Sequence, residues 1–105
     1  VALAFDADNV LWGVENGADN LFRTDLGGRI HNDNPGEELN RFGGADFVEG
    51  DFYGYPQCWS EYKLSQHSDR AGGKGTQWAW PSFMPDTTDE WCRENAVPPM
   101  LVMQV

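Results

Sequence analysis

Oxygen-rich turns are the first candidates for chemistry in this sequence. The run Glu15-Asn16-Gly17-Ala18-Asp19-Asn20 breaks directly out of an apolar stretch, residues 10–14. Glycine in such a turn adopts backbone geometry closed to other residues and lets a ligand approach closely. Carbonyl oxygens exposed there, with carboxylates beside them, suit a hard cation such as calcium. A plain hairpin turn is the competing reading. Residues 32–40, NDNPGEELN, set two adjacent carboxylates, Glu37 and Glu38, between asparagines. Calcium takes roughly six to eight oxygens, often from carboxylates, amides and main chain together. Neighbouring strand side chains point to opposite faces, so one of the two glutamates faces a given site and the other serves a different neighbour. A solvated acidic turn competes with this reading, and the spacing is not that of an EF-hand loop.

Residues 50–58, GDFYGYPQC, place Gly54 between Tyr53 and Tyr55 with Pro56 following. That pattern suggests a strand end turning sharply beneath aromatic cover, with core packing weighed against ligand contact. Trp78 and Trp80, in QWAW, fall on one face of a strand. Such a pair stacks on sugars or fills a core. His31 and His67 stand in loops at no spacing that suggests a nucleophile triad, and read as surface histidines. Cys58 and Cys92 lack C-x-x-C spacing, which argues against a zinc knuckle or a thioredoxin-type site. An even cysteine count in an acidic, Trp-rich and Gly-rich chain favours one disulfide and a secreted context, with two unrelated buried thiols as the alternative.

The elements that must hold these residues are short. The 105 residues allow one domain at most. Apolar runs at 1–5 and 10–14, joined by Asp6-Ala7-Asp8-Asn9, read as a hairpin of two buried strands. Residues 37–42 and 100–105 are further strands, with aromatic, Gly-punctuated stretches at 47–55 and 77–83. Residues 20–35 read as a long surface excursion, 62–76 as a mobile polar insertion, and 89–95 as one helical turn. Five Trp, six Phe, three Tyr, 12 Gly and 6 Pro fit tight turns and aromatic packing between sheets. No helix-period segment of useful length is present, so the chain is all-β by elimination. Both ends are apolar strands that need partners.

Seven basic residues against 17 acidic ones give a net charge of −10. That disfavours nucleic acid, whose phosphates need Lys and Arg, and anionic membranes. It suits cations and neutral, hydroxyl-rich ligands. No apolar run reaches the roughly 18 residues of a membrane span, and no signal peptide is visible. A first residue of Val inside an apolar segment reads as a processed or excerpted chain.

In order along the chain, Leu3-Ala4-Phe5, Leu11-Trp12, Glu15-Asn16-Gly17, Glu38-Leu39-Asn40 and Tyr53-Gly54-Tyr55-Pro56 resemble the motifs of the glucose/sorbosone dehydrogenase family. The nearest likeness is to its fungal secreted pyranose dehydrogenase branch, with Tyr55 where the family has Trp. The resemblance implies part of a six-bladed β-propeller, about two blades of it, within one incomplete segment of a propeller domain spanning residues 1–105. It implies pyrroloquinoline quinone (PQQ) and calcium as cofactors, a sugar substrate and an external electron acceptor. By the same resemblance the carbonyls of Gly17 and Ala18 bind the calcium that holds PQQ. A second, structural calcium falls to Glu37, Glu38 and Tyr53. The family's cofactor-contacting Arg-Asn pair and its histidines, including the catalytic base, have no counterpart here, so this segment is expected to be inactive alone. Two rivals are a non-catalytic carbohydrate-binding or interaction propeller, and a calcium-dependent propeller lactonase that would need carboxylate side chains converging on the ion.

Overall fold

A computed structural model describes residues 2–17, 19–44, 48–82 and 84–104. Val1, Ala18, Phe47, Phe83 and Val105, on which sequence expectations fell, lie outside the described residues. In chain order the strands are β1 (Ala2–Phe5), β2 (Leu11–Glu15), β3 (Phe22–Arg23), β4 (Gly28–Arg29), β5 (Glu37–Phe42), β6 (Cys58–Ser60), β7 (Gln77–Ala79) and β8 (Leu101–Met103). One helix, α1 (Asp89–Asn95), precedes β8.

The first two apolar runs pair as a hairpin, and Asp6 makes its turn. Asp6 Oδ1 accepts the Asp8 and Val10 N–H groups, while Oδ2 accepts the Trp12 indole N–H at 2.9 Å. Strand β5 adds to β2 and β8 adds to β5, giving an antiparallel sheet in the order β1-β2-β5-β8. Four antiparallel strands are the complement of one propeller blade. The rest of the chain leaves this sheet in two excursions, residues 16–36 and 43–100, which carry the hairpins β3-β4 and β6-β7 and the helix.

The expected pairing of β1 and β2 is present, but they are not buried within this chain. All of β1 is exposed, with Leu3 at 63% and Phe5 at 69%. Register lines up Ala2, Val14, Leu39 and Leu101 in a row across the sheet, and of these only Leu39 is partly covered. Apolar strands without cover on both faces are what a propeller blade shows when its neighbours are not present.

The sealed core lies between the two excursions. Leu21, Leu26 and Ile30 from the first meet Trp59, Leu64 and Trp78 from the second. Trp59 and Trp78 stack at 6.2 Å with planes 22° apart. Residues 62–76, polar enough to read as a mobile insertion, are tied to this core. Leu64 is fully buried, and the buried Glu61 carboxylate accepts N–H groups from Gly72 at 3.0 Å, Gly73 at 2.9 Å and the Trp78 indole at 2.9 Å. A carboxylate so supplied with donors holds a polar loop as firmly as apolar contact would.

Helix α1 starts where Thr88 caps it, its hydroxyl accepting the Trp91 N–H at 3.0 Å, with Asp89 and Glu90 in the first turn. Cys92 in this helix is bridged to Cys58 at the start of β6, 34 residues earlier. Closing a loop of that size stabilises by about 2–4 kcal/mol. The bridge sits in a second small core with Ala79, Ala96 and Phe52.

An ionic network joins the excursions above Trp78. Arg23 donates to Asp89 at 2.6 Å, to Asp25 and to the Ala79 carbonyl, and Arg70 pairs with Asp25. Arg93, Arg70 and Arg23 lie over the Trp78 ring at 4.3, 5.4 and 5.5 Å. Burial alone would push the Asp89 carboxyl up. Hydrogen bonds from Arg23 and the Ala79 N–H, with the charges of Arg23 and Arg93, outweigh it and hold Asp89 below its ordinary 3.8. The Arg23 hydrogen bond likewise lowers Asp25. Both groups therefore contribute stability that is whole above pH 3.8 and is lost as pH falls through their depressed folded values. Arg23→Met, which leaves the half-buried Asp89 the Ala79 N–H at 2.9 Å and Arg70 at 3.6 Å, is expected to cost about 1–3 kcal/mol near neutral pH. Thermal melting across pH checks this: the gap between wild type and variant should narrow steadily below pH 3.8, and a gap that does not change with pH would refute the assignment.

Candidate functional site

Pairing of β2 with β5 sets Glu15 directly opposite Glu38. Directly opposed residues share a face of the sheet, so both carboxylates project to one side. The loop leaving β2 and the segment entering β5 meet there, and a small, partly open cleft of about 30 Å³ lies between them. Glu15, Asn16 and Gly17 line one wall, Pro35, Gly36 and Glu38 another, and Tyr55, Trp59, Ser60 and Trp80 complete it. The structure thus brings together Gly17 and Glu38, two of the residues singled out in the sequence.

Gly17 does not use the left-handed backbone freedom that its turn suggested; its φ is not positive. Its role is close approach. A Cβ there would sit 3.1 Å from the carbonyl oxygens of both Pro35 and Gly36, which are main-chain atoms with little room to move. Gly36 is equally restricted, since a side chain would overlap Val102. The Pro35 ring joins the Gly17 contact, its Cγ also 3.1 Å from a Cβ there. Ala18, the next residue, lies outside the described residues.

The cleft is electrostatically strained. Partial burial raises the Glu15 pKa, and the Glu38 charge raises it further. Glu38 Oε1 accepts the Ser60 hydroxyl at 2.6 Å and Oε2 accepts the Asn40 amide at 3.0 Å. Ser60 Oγ in turn accepts the Gln77 amide at 2.6 Å, and that same amide donates to the Gly75 carbonyl at 3.2 Å. A carboxylate or carbonyl only accepts, so the amide nitrogens of Asn40 and Gln77 must face their partners. Their oxygens are thereby turned away, and both Asn40 Oδ1 and Gln77 Oε1 are buried without a hydrogen-bond partner, as is Glu37 Oε2. Of these three acceptors none belongs to a residue that lines the cleft, so the side-chain carboxylates facing it are Glu15 and Glu38, hard oxygen donors of the kind calcium takes. Among the described residues no three His, Cys, Asp or Glu side chains cluster as metal ligands. A cation here would have to draw on amide and main-chain oxygens as well.

Glu37, one residue before Glu38, lies opposite Met103 and on the other face of β5. Tyr53 reaches the far end of β5, where its hydroxyl donates to the Arg41 carbonyl at 3.2 Å and its ring meets Phe42 edge-on at 4.7 Å. The chain then turns at Gly54, φ 107°, beside Gln77 Oε1. Trp78 is sealed in the core, while Trp80, just beyond β7, packs against that core and lines the cleft. His67 pairs with Asp33 at 2.7 Å, away from the cleft lining, and clamps one excursion to the other. Ser60 and Gln77 carried no signal in the sequence. They join the site because β6 and β7 pair them with each other.

The TrAA12-like family profile matches residues 1–105. The chain is 39% identical over 97 residues to the pyrroloquinoline quinone-dependent sugar dehydrogenase of Hypocrea jecorina (strain QM6a), covering 90% of this chain and 22% of that protein. It superposes on the calcium structure of Trichoderma reesei Carbohydrate-Active Enzymes Family AA12 with a TM-score of 0.75 and 38% identity, over 90% of this chain and 24% of that one. Against the holo form of the pyranose dehydrogenase PQQ domain from Coprinopsis cinerea the TM-score is 0.78 with 30% identity, over 97% of this chain and 25% of that one. The chain therefore spans between 22% and 25% of the length of these relatives. Mainly β with one short helix, it has the fold of part of a β-propeller. With the family profile matched from end to end, the chain belongs to the TrAA12-like family.

Proposed function

We propose that residues 1–105 are an incomplete segment of a single propeller domain in a secreted, PQQ- and calcium-dependent dehydrogenase that oxidises pyranose-type sugars. The observation that carries this reading is the cleft in which the Gly17 loop, the opposed Glu15 and Glu38, and Trp80 meet. PQQ, when bound, supplies a two-electron acceptor, and calcium supplies Lewis acidity. Main-chain oxygens of Gly17 and Ala18 would hold the ion at the cofactor. Glu38, with the Tyr53 main chain, would contribute to a second, structural ion, from which Glu37 on the other face of β5 is turned away. A positive charge in the cleft would relieve the repulsion between Glu15 and Glu38. Trp80 and Tyr55 offer ring faces for the C–H surface of a sugar. The electrons then leave to an external acceptor.

The disulfide fits an oxidising compartment, and no helix of the described residues is long and apolar enough to cross a membrane. A net charge of −10 disfavours nucleic acid and anionic lipid as partners. The segment alone is expected to be inactive. Convergence of Glu15 and Glu38 is the one feature that a calcium-dependent lactonase would share. The full-length protein carrying this chain, loaded with PQQ and calcium, should reduce a redox dye only when a pyranose is added. Lactone hydrolysis with no sugar-dependent dye reduction would replace this reading with the rival.

A further inference from the structure

A second pocket, about 500 Å³ and more open, shares no lining residue with the cleft. Trp91 forms one wall. Its ring leans on Phe52 at 5.6 Å, and 38% of the residue stays exposed. Met84, 45% exposed, adds apolar surface, while Gln57, Asp86, Thr87 and Thr88 bring amide, carboxylate and hydroxyl groups to the lining. The walls are held before any ligand arrives. Gln57 precedes Cys58 and Trp91 precedes Cys92, so the disulfide fixes both sides of the pocket. The Thr87 N–H donates to the Met84 carbonyl at 3.0 Å and closes the remaining side. Such pre-set walls reduce the ordering cost of binding.

The chemistry of this lining selects a ligand class. An indole face with flanking hydroxyl, amide and carboxylate groups suits a neutral polyhydroxylated ring, whose C–H face packs on the aromatic while its hydroxyls bond at the edges. Asp86 and the net charge of −10 work against an anion. Trp91 is the one aromatic among the described lining residues, which falls short of the cage that a quaternary ammonium group prefers. The Trp80 N–H donates to the Gln57 carbonyl at 2.8 Å, so cleft and pocket adjoin through the backbone.

We propose that this pocket is a second sugar subsite, which takes a neutral pyranose unit of an oligosaccharide through Trp91. The inference rests on the sugar-oxidising reading and extends its substrate class from single sugars to chains. Calorimetric titration of the full-length protein with cellotetraose and with glucose tests it. Trp91→Ala should weaken cellotetraose binding about tenfold and leave glucose binding unchanged, while Trp91→Phe should recover most of the loss. Gln57→Ala, which leaves the aromatic wall in place, should show a smaller loss in the same direction. Wild-type protein that binds cellotetraose no better than glucose would overturn the proposal, as would a Trp91→Ala variant that weakens both sugars equally or neither. Cellotetraose held through Trp91 by a protein that oxidises no sugar would sink the dehydrogenase reading and leave the subsite standing.

Discussion

Gly17→Val in the full-length protein is expected to abolish loading with PQQ. The side chain would have to enter the space held by the Pro35 and Gly36 carbonyls, each 3.1 Å from a Cβ at this position. Neither atom belongs to a flexible side chain, so the loop must move away from β5, and with it the main-chain oxygens proposed to hold the ion. Overpacking of this kind costs about 1–3 kcal/mol locally, enough to displace the loop without unfolding the domain. Gly17→Ala meets the same two carbonyls with less bulk and should weaken loading about tenfold rather than abolish it. Titration of apo protein with the quinone, followed by absorbance, reads both. Normal loading of the valine variant would show that the glycine is only a packing device.

Glu38→Ala should have the second large effect. Glu38 is the residue on which the polar network converges: Ser60 and Asn40 both donate to it, and Gln77 reaches it through Ser60. Its removal strands two buried donors, at about 1–3 kcal/mol each. It also removes half of the carboxylate pair that attracts a cation. Calcium affinity at this site is expected to fall about 100-fold or more. Melting of the apo protein with and without calcium separates the two effects. The wild type should gain stability on adding calcium and the variant should not. Glu38→Gln keeps one acceptor oxygen but loses the charge, so it should fold better than the alanine variant and still bind calcium poorly. An unchanged calcium response in both variants would remove Glu38 from any metal site.

How much of this was legible in the sequence depended on how local the cause was. Two short apolar runs around an Asp-rich turn gave the β1-β2 hairpin, because Asp6 acts on residues within six positions of itself. Residues 89–95 read as one helical turn, and α1 spans them, started by a Thr88 cap that the sequence reading does not use. Cys58 and Cys92 were paired on composition and context, and the bridge is there. The site was readable only in part. Gly17 and Glu38 stood out by residue type and by family likeness, and β2-β5 register brings them together. Ser60, Gln77 and the unpartnered oxygen of Asn40 depend on strand pairings and amide orientation, for which the sequence carries no periodic mark.

The core was misplaced for a related reason. Apolar strands at 1–5 and 10–14 read as buried, yet in this chain the sealed interior lies between two excursions that mix aromatic stretches with polar loops. Hydropathy reports the average of a segment. It does not register that a single Leu64, a stacked Trp pair and one Glu61 carboxylate suffice to pin a loop. Nor does it say that the hydrophobic faces of a blade meet surfaces contributed by other blades.

The central claim is that main-chain oxygens of the Gly17 loop hold a divalent ion, and that this ion is what retains the quinone. Equilibrium dialysis of the full-length protein against PQQ, in calcium and in excess chelator, tests it most directly. Stoichiometric quinone retained in calcium and lost in chelator is the expected result. Quinone held equally tightly in both would contradict it.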